Sequence, residues 1–320
     1  MSLIEQAAKR LEELRRAGVD VPESATVAAL DFPTTAIERA SAVNGARRAR
    51  LAESQGTGAE ARKVPAPSAT EDAIHSQRVH LDLARLAAAG IVTPDAPRSQ
   101  VADEFRVIKR PLLVNATGKG VTPVRNGNLI MVTSALPGEG KSFTAVNLAM
   151  SIAMELDHTV LLVDADVARP SLPAMLGLPE SRGLLDVLVN DDVDLRDVLL
   201  RTDIEKLSIL PSGRVHPRAT ELLASDSMNR LLDDLSRRYP DRIIVFDSPP
   251  LLVTTESRVL ATHMGQIVMV VEAQRTVQTA LKQALATIES CPVKLMMLNK
   301  GRRTSTDGGY RYGYGYAYGR

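Results

Sequence analysis

The feature that most constrains this chain is a rhythm of strand-length apolar runs and helical patterns that takes over at Asn128. The runs are Leu129 to Thr133, Val160 to Val163, Leu207 to Leu210, Ile243 to Phe246, Ile267 to Val271 and Leu295 to Leu298, and a helical pattern from Lys141 follows the first of them. Most are near-continuous and β-rich, as expected of strands covered on both faces. The fold class they imply is α/β, with a doubly wound, mostly parallel sheet. None approaches the ~20 apolar residues of a membrane span. With 44% hydrophobic and 24% charged residues in a chain of 320, the composition is that of a globular protein able to bury a core.

The flanks read differently. Ser2 and Glu5 make a capping-box pattern, and Leu3, Ile4, Ala7, Ala8, Leu11 and Leu14 then share one stripe of an amphipathic helix over residues 1–18. Its polar face carries both signs of charge, which favours a protein surface over an anionic membrane as the partner of the stripe. Residues 19–75, rich in Ala, Ser, Thr, Pro and Gly, read as a flexible linker. Residues 76–127 form a helical lead-in: one short helix over Ser76 to Ala89, stopped by Gly90 and Pro94, and a second from near Ser99 to Lys109, ended by Pro111. The folded domain spans 128–300. The tail, 301–320, is Gly, Tyr and Arg without an apolar pattern and is expected to be disordered. Five of the six tyrosines, Tyr310, Tyr312, Tyr314, Tyr316 and Tyr318, fall within it.

Composition also excludes. The single cysteine, Cys291, rules out an intrachain disulfide or a multi-thiolate metal site and reads as a small buried residue. With 39 basic against 38 acidic side chains, no Trp and four Phe, there is neither the field nor the stacking surface for nucleic acid. Glu5 and Lys9 interrupt any secretory apolar region, and position 2 is Ser where myristoylation needs Gly, so the expected location is cytoplasmic.

Directly after the first strand stands Ser134-Ala135-Leu136-Pro137-Gly138-Glu139-Gly140-Lys141-Ser142, a Walker A loop with Ala135 in place of its first Gly. In such a loop, here Pro137 to Phe143, the glycines let successive backbone N–H groups surround phosphates, Lys141 neutralises the β and γ groups, Ser142 binds magnesium and the helix N-terminus adds its dipole. Pro137 itself can contribute no N–H. Asp164 and Asp166 emerge at the end of the next strand, at the sheet edge where open α/β folds bind ligands. A carboxylate there can hold magnesium or accept a hydroxyl proton, and phosphoryl transfer requires both. The third element, Ile243 to Pro250, ends its strand in Asp247 like a Walker B segment, placing a carboxylate in the magnesium shell. Together they point to ATP or GTP. Asn299, after the last strand, suits a reader of the base edge and equally a turn.

The paired-Asp strand narrows the field to relatives of positioning ATPases, iron–sulfur carrier ATPases and bacterial tyrosine kinases. Positioning ATPases of the MinD and ParA kind carry a second lysine where this chain has Leu136, and the carriers need paired cysteines. What remains resembles the bacterial tyrosine kinase family from about Ala102 to the C-terminus: Ser134 to Ser142 as Walker A, Val163 to Pro170 as Walker A′ and Phe246 to Pro250 as Walker B. More narrowly, Asp103 to Leu113 and Leu207 to Ser225 are similar to the exosortase-associated tyrosine autokinases of exopolysaccharide clusters.

The resemblance implies a P-loop kinase using ATP and Mg2+, with Lys141, Asp164 and Asp166 as catalytic residues. Either Asp is the base, with Asp164 favoured; Ser142, Asp166 and Asp247 serve the metal. It implies tail tyrosines as phosphoacceptors, exchanged between subunits of a ring through a Glu-x-x-Arg-x-x-Arg helix, matched here by Asp103, Arg106 and Lys109. Asp is shorter than Glu, and Lys cannot fork onto a carboxylate as Arg does. Phosphates would invert the charge supplied by Arg302, Arg303, Arg311 and Arg320 and drive tails from neighbouring subunits, making the ring sensitive to phosphorylation. A separate membrane protein, the polysaccharide chain-length regulator, would be the activator, drawing the kinase to the inner membrane. The rival readings are a positioning or assembly ATPase without kinase activity, and a nucleotide-dependent binding module.

Overall fold

The computed structural model describes residues 77–238 and 241–301. Its strands are β1 (Gln77–Val79), β2 (Leu129–Ser134), β3 (Thr159–Asp164), β4 (Leu200–Thr202), β5 (Leu207–Leu210), β6 (Arg242–Asp247), β7 (Gln266–Glu272) and β8 (Val293–Asn299). They form one sheet in the order β1-β4-β5-β3-β6-β2-β7-β8, parallel throughout except for the β4–β5 pair. The sheet is doubly wound, as expected. Successive residues of a strand face opposite sides, and here both sides are covered: Val160 and Leu162 of β3 enter one core, Leu161 and Val163 the other.

On the first face lie α1 (Leu83–Ala88), α2 (Gln100–Ala116), α3 (Lys141–Ala153) and α4 (Leu172–Leu176), burying Leu86, Phe105, Leu112, Leu148 and Leu176. The second carries α5 (Leu184–Val189), α6 (Leu195–Val198), α7 (Ala219–Leu223), α8 (Asp226–Arg238), α9 (Glu256–Ala261) and α10 (Gln278–Ala286). These bury residues such as Leu185, Leu223, Leu232 and Leu260 against Phe246 and Met131. Cys291 is buried among them.

Three expectations are corrected. The helix read over Ser76 to Ala89 is a strand, β1, followed by α1. Asp82 marks the boundary, its side chain accepting from the Arg85 N–H at 2.9 Å and capping α1. The second helix does begin where Ser99 accepts from the Ala102 N–H, but it runs through Pro111 to Ala116. Pro111 removes the donor for the Val107 carbonyl, and Val107 is 74% exposed, so water reaches that side of the helix. The last strand is not covered on both faces: β8 alternates, with Met296 65% and Leu298 69% exposed along the sheet edge. The expected helix over 1–18, linker over 19–75 and tail beyond Gly301 lie outside the described residues. Among those described, no helix is long and apolar enough to cross a membrane.

Candidate nucleotide site

The strand order brings β3, β6 and β2 side by side, so the three motifs end at one place. Asp164 and Asp247 are register partners across β3 and β6, and Val132 of β2 partners Asp247 on its other side. The Walker B turn is fixed to the Walker A strand by Ser248 Oγ donating to the Val132 carbonyl and Thr133 Oγ1 to that of Pro249, each at 2.9 Å.

The loop between β2 and α3 turns on Gly138 (φ 83°) and Gly140 (φ 97°), left-handed conformations that glycine adopts at little cost. Gly140 is also needed for space: a Cβ there would stand 2.1 Å from Asn299 Nδ2. No side chain caps α3, so its first N–H groups remain for phosphate. Ala135, which replaces the first glycine, is fully buried against the second core. Glu139 turns inward: Oε2 accepts from the Leu136 N–H at 2.8 Å and Oε1 accepts from Thr276. With its carboxylate engaged, Glu139 has only its backbone to offer a nucleotide. The Phe143 ring likewise packs on the first core, leaving its N–H as the group that can serve the loop.

Asn299 donates from Nδ2 to the Glu139 carbonyl at 2.9 Å, and its Oδ1 accepts from the Lys300 N–H. Both ends of this amide are thus engaged, one with the loop and the other with the residue that precedes the tail. Lys300 donates to the Gly138 carbonyl at 2.7 Å and pairs with Glu272 at 3.2 Å. The motif reading did not anticipate Thr276, Glu272 or Lys300, because their part depends on β7 and β8 meeting the loop.

Lys141 reaches Asp166 at 2.8 Å. Asp164 has no such cation; its oxygens accept from the N–H groups of Asp166 and Leu172, both at 3.3 Å. Burial first, then repulsion from Asp247, raises Asp164 to about 8. Burial also raises Asp247, to about 6, against the pull of Lys141 and of the Ser142 and Ser171 hydroxyls. Asp247 Oδ1 is buried with no hydrogen-bond partner. An orphaned carboxylate oxygen beside Ser142 is a hard-cation donor set, so these residues fit Mg2+ with a phosphate ligand. A further hydroxyl joins them: Ser171 Oγ donates to Ser142 Oγ at 2.8 Å and lies 3.5 Å from Asp247 Oδ2.

The proposed docking helix needs a correction. Lys109 is 3% exposed, pairs with Glu155 at 2.7 Å and donates to the Ser151 carbonyl, so it belongs to the packing of α2 on α3. Burial lowers its pKa, with Glu155 opposing that shift. The reason is helical phase: at 100° per residue, position 109 turns toward Phe105 and Leu112, while position 110 returns to the side of 103. Arg106 pairs with Asp103, and Arg110, 67% exposed, continues that outer stripe. The tail tyrosines Tyr310 to Tyr318 lie outside the described residues.

The family described as an AAA domain matches residues 127–299, and the chain belongs to it: a P-loop fold. Within that class it stands with the bacterial tyrosine-protein kinases, as its motifs suggested. Tyrosine-protein kinase YwqD of Bacillus subtilis is 28% identical over 223 residues, which cover 69% of this chain and 90% of that relative. Putative tyrosine-protein kinase EpsB of Ralstonia nicotianae is 32% identical over 194 residues, 60% of this chain but 25% of its own length. The kinase domain of Escherichia coli tyrosine kinase ETK superimposes with a TM-score of 0.57 at 26% identity, covering 70% of this chain and 86% of that domain.

Proposed function

We propose that the protein is an ATP- and Mg2+-dependent tyrosine autokinase that phosphorylates Tyr310, Tyr312, Tyr314, Tyr316 and Tyr318 of a neighbouring copy, within exopolysaccharide synthesis or export. The observation that carries this reading is the convergence of Lys141, Ser142, Asp164, Asp166 and Asp247 at three adjacent strand ends, in a chain that has five of its six tyrosines in one tail. Bound Mg2+ would neutralise phosphate charge and, by its own charge, favour ionised carboxylates. Ser142 and Asp247 would hold it, with Asp166 nearby.

The N–H groups of the loop and α3 orient the phosphates, and Lys141, held at 2.8 Å by Asp166, is positioned to neutralise the transferring group. Asp164, ionised once Mg2+ is bound, is the favoured acceptor of the tyrosine proton, because its buried setting raises its proton affinity above that of an ordinary carboxylate. The outer stripe of α2, Asp103, Arg106 and Arg110, supports docking between copies. By the same family resemblance, a membrane chain-length regulator is the activator.

The test is phosphotyrosine mapping by mass spectrometry on protein purified from cells. Lys141→Met and a variant with the five tail tyrosines changed to Phe are mapped alongside. Tail phosphate present in the wild type and absent in Lys141→Met is the expected result. An unmodified wild-type tail, even with ATP, Mg2+ and a co-expressed chain-length regulator, would replace this reading with an assembly ATPase.

A further inference from the structure

We infer that Ser171 is a member of the magnesium shell, a role that no motif in the chain assigns to it, and that it ties the metal to the segment following β3. Ser171 Oγ is 2.8 Å from Ser142 Oγ. Two adjacent ligands of an octahedral Mg2+, each at 2.0–2.1 Å, are about 2.9 Å apart. The two hydroxyls are therefore spaced as one edge of such a shell. Asp247 Oδ2 accepts from Ser171 Oγ at 3.5 Å, and the other oxygen of the same carboxylate, Oδ1, is buried without a hydrogen-bond partner, so this carboxylate has capacity left for a cation.

Ser171 is presented there by backbone wiring. The Arg169 N–H donates to Asp166 Oδ1 at 3.2 Å and the Leu172 N–H to Asp164 Oδ2 at 3.3 Å, so the turn bearing Ser171 is pinned on both sides to site carboxylates. Its side chain is free of any capping bond to α4, although it occupies the N-cap position. Pro170 and Pro173, on either side, line an open groove of about 820 Å³ with Ser212, Arg182 and Arg214. A cation held through Ser171 consequently fixes one wall of that groove, and the segment Val167 to Leu176 reports whether the metal is present.

This rests on the nucleotide and magnesium part of the proposed function and not on the tyrosine acceptor. Its test uses the full chain with ADP, following Mn2+ as the probe by electron paramagnetic resonance, and compares wild type, Ser171→Ala and Ser171→Thr. ADP affinity in EDTA is expected to be equal in all three. Mn2+ affinity should fall about tenfold in Ser171→Ala and return in Ser171→Thr, which keeps the hydroxyl. Hydrogen exchange of residues 167–176 should slow on Mn2+ addition in the wild type and not in Ser171→Ala. Unchanged Mn2+ affinity in Ser171→Ala, or equal loss in both variants together with weakened ADP binding in EDTA, would overturn the assignment. A wild-type protein that binds ADP in EDTA yet takes up no Mn2+ would overturn the magnesium reading itself.

Discussion

At Asp164 and Asp247 two carboxylates meet across neighbouring strands in a buried setting, and each resists ionising. For the protein without metal or nucleotide this has a pH signature. Asp164 titrates near 8 when folded and near 4 when unfolded, so between these values the folded chain keeps a proton that the unfolded chain releases. The resulting stabilisation is fully present below about pH 4 and lost as pH rises through about 8, at up to roughly 1.4 kcal/mol per unit. Asp164→Asn should flatten this slope in urea titrations at pH 5, 6.5 and 8 and should raise stability at the alkaline end. An unaltered slope would move the buried proton elsewhere. Saturating Mg2+ and ADP should also reduce the slope in the wild type. The paired aspartates were legible in sequence because a strand ending in Asp-x-Asp after a P-loop has few other meanings. Their unequal surroundings, one against Lys141 and the other against two backbone donors, were not, because these depend on the turn through Arg169 to Leu172.

Among the elements, α2 shows how one residue of phase divides a core position from a surface one. Lys109 and Arg110 are adjacent in sequence and both reach Glu155, yet the first is enclosed against α3 while the second approaches from outside, at 3.8 Å and 67% exposed. Glu155→Gln should cost about 1–3 kcal/mol in urea unfolding, because it strips the counter-charge from a buried ammonium. Arg106→Ala and Arg110→Ala should leave that stability within about 0.5 kcal/mol but reduce assembly, read by light scattering. If both arginine variants assemble as the wild type does, the outer stripe is not the docking face. The motif spacing suggested the wrong third residue because it matched charge at i, i+3 and i+6, whereas a helix returns to the same side at i+7. The start of α2 was readable from Ser99, but its passage through Pro111 depends on that turn lying toward solvent. The three-residue β1 and β4, with Gln77, Arg78 and Arg201 among their six residues, carry too little apolar pattern to be seen.

For the whole molecule, the central strands were legible because each is buried on both faces; their spatial order and the open face of β8 depend on tertiary packing. If the tails dock between copies, each phosphate contributes about −1.5 to −2 charges, and the phosphorylated protein should elute as a smaller species than the unmodified one. A larger or unchanged species would contradict the repulsion. The attachment of Lys300 to the Gly138 carbonyl carries one more consequence, which concerns molecularity. Tyr310 lies ten residues past Lys300, up to about 34 Å of extended chain, while β8 stands four strand spacings from β3, about 19 Å. If the tail tyrosines are the acceptors, chain length alone allows each molecule to bring its own to its own phosphate loop, at a local concentration on the order of millimolar. A reaction on the same molecule would keep its half-time through a hundredfold dilution. Exchange between neighbours predicts instead a half-time that lengthens once dilution separates the copies.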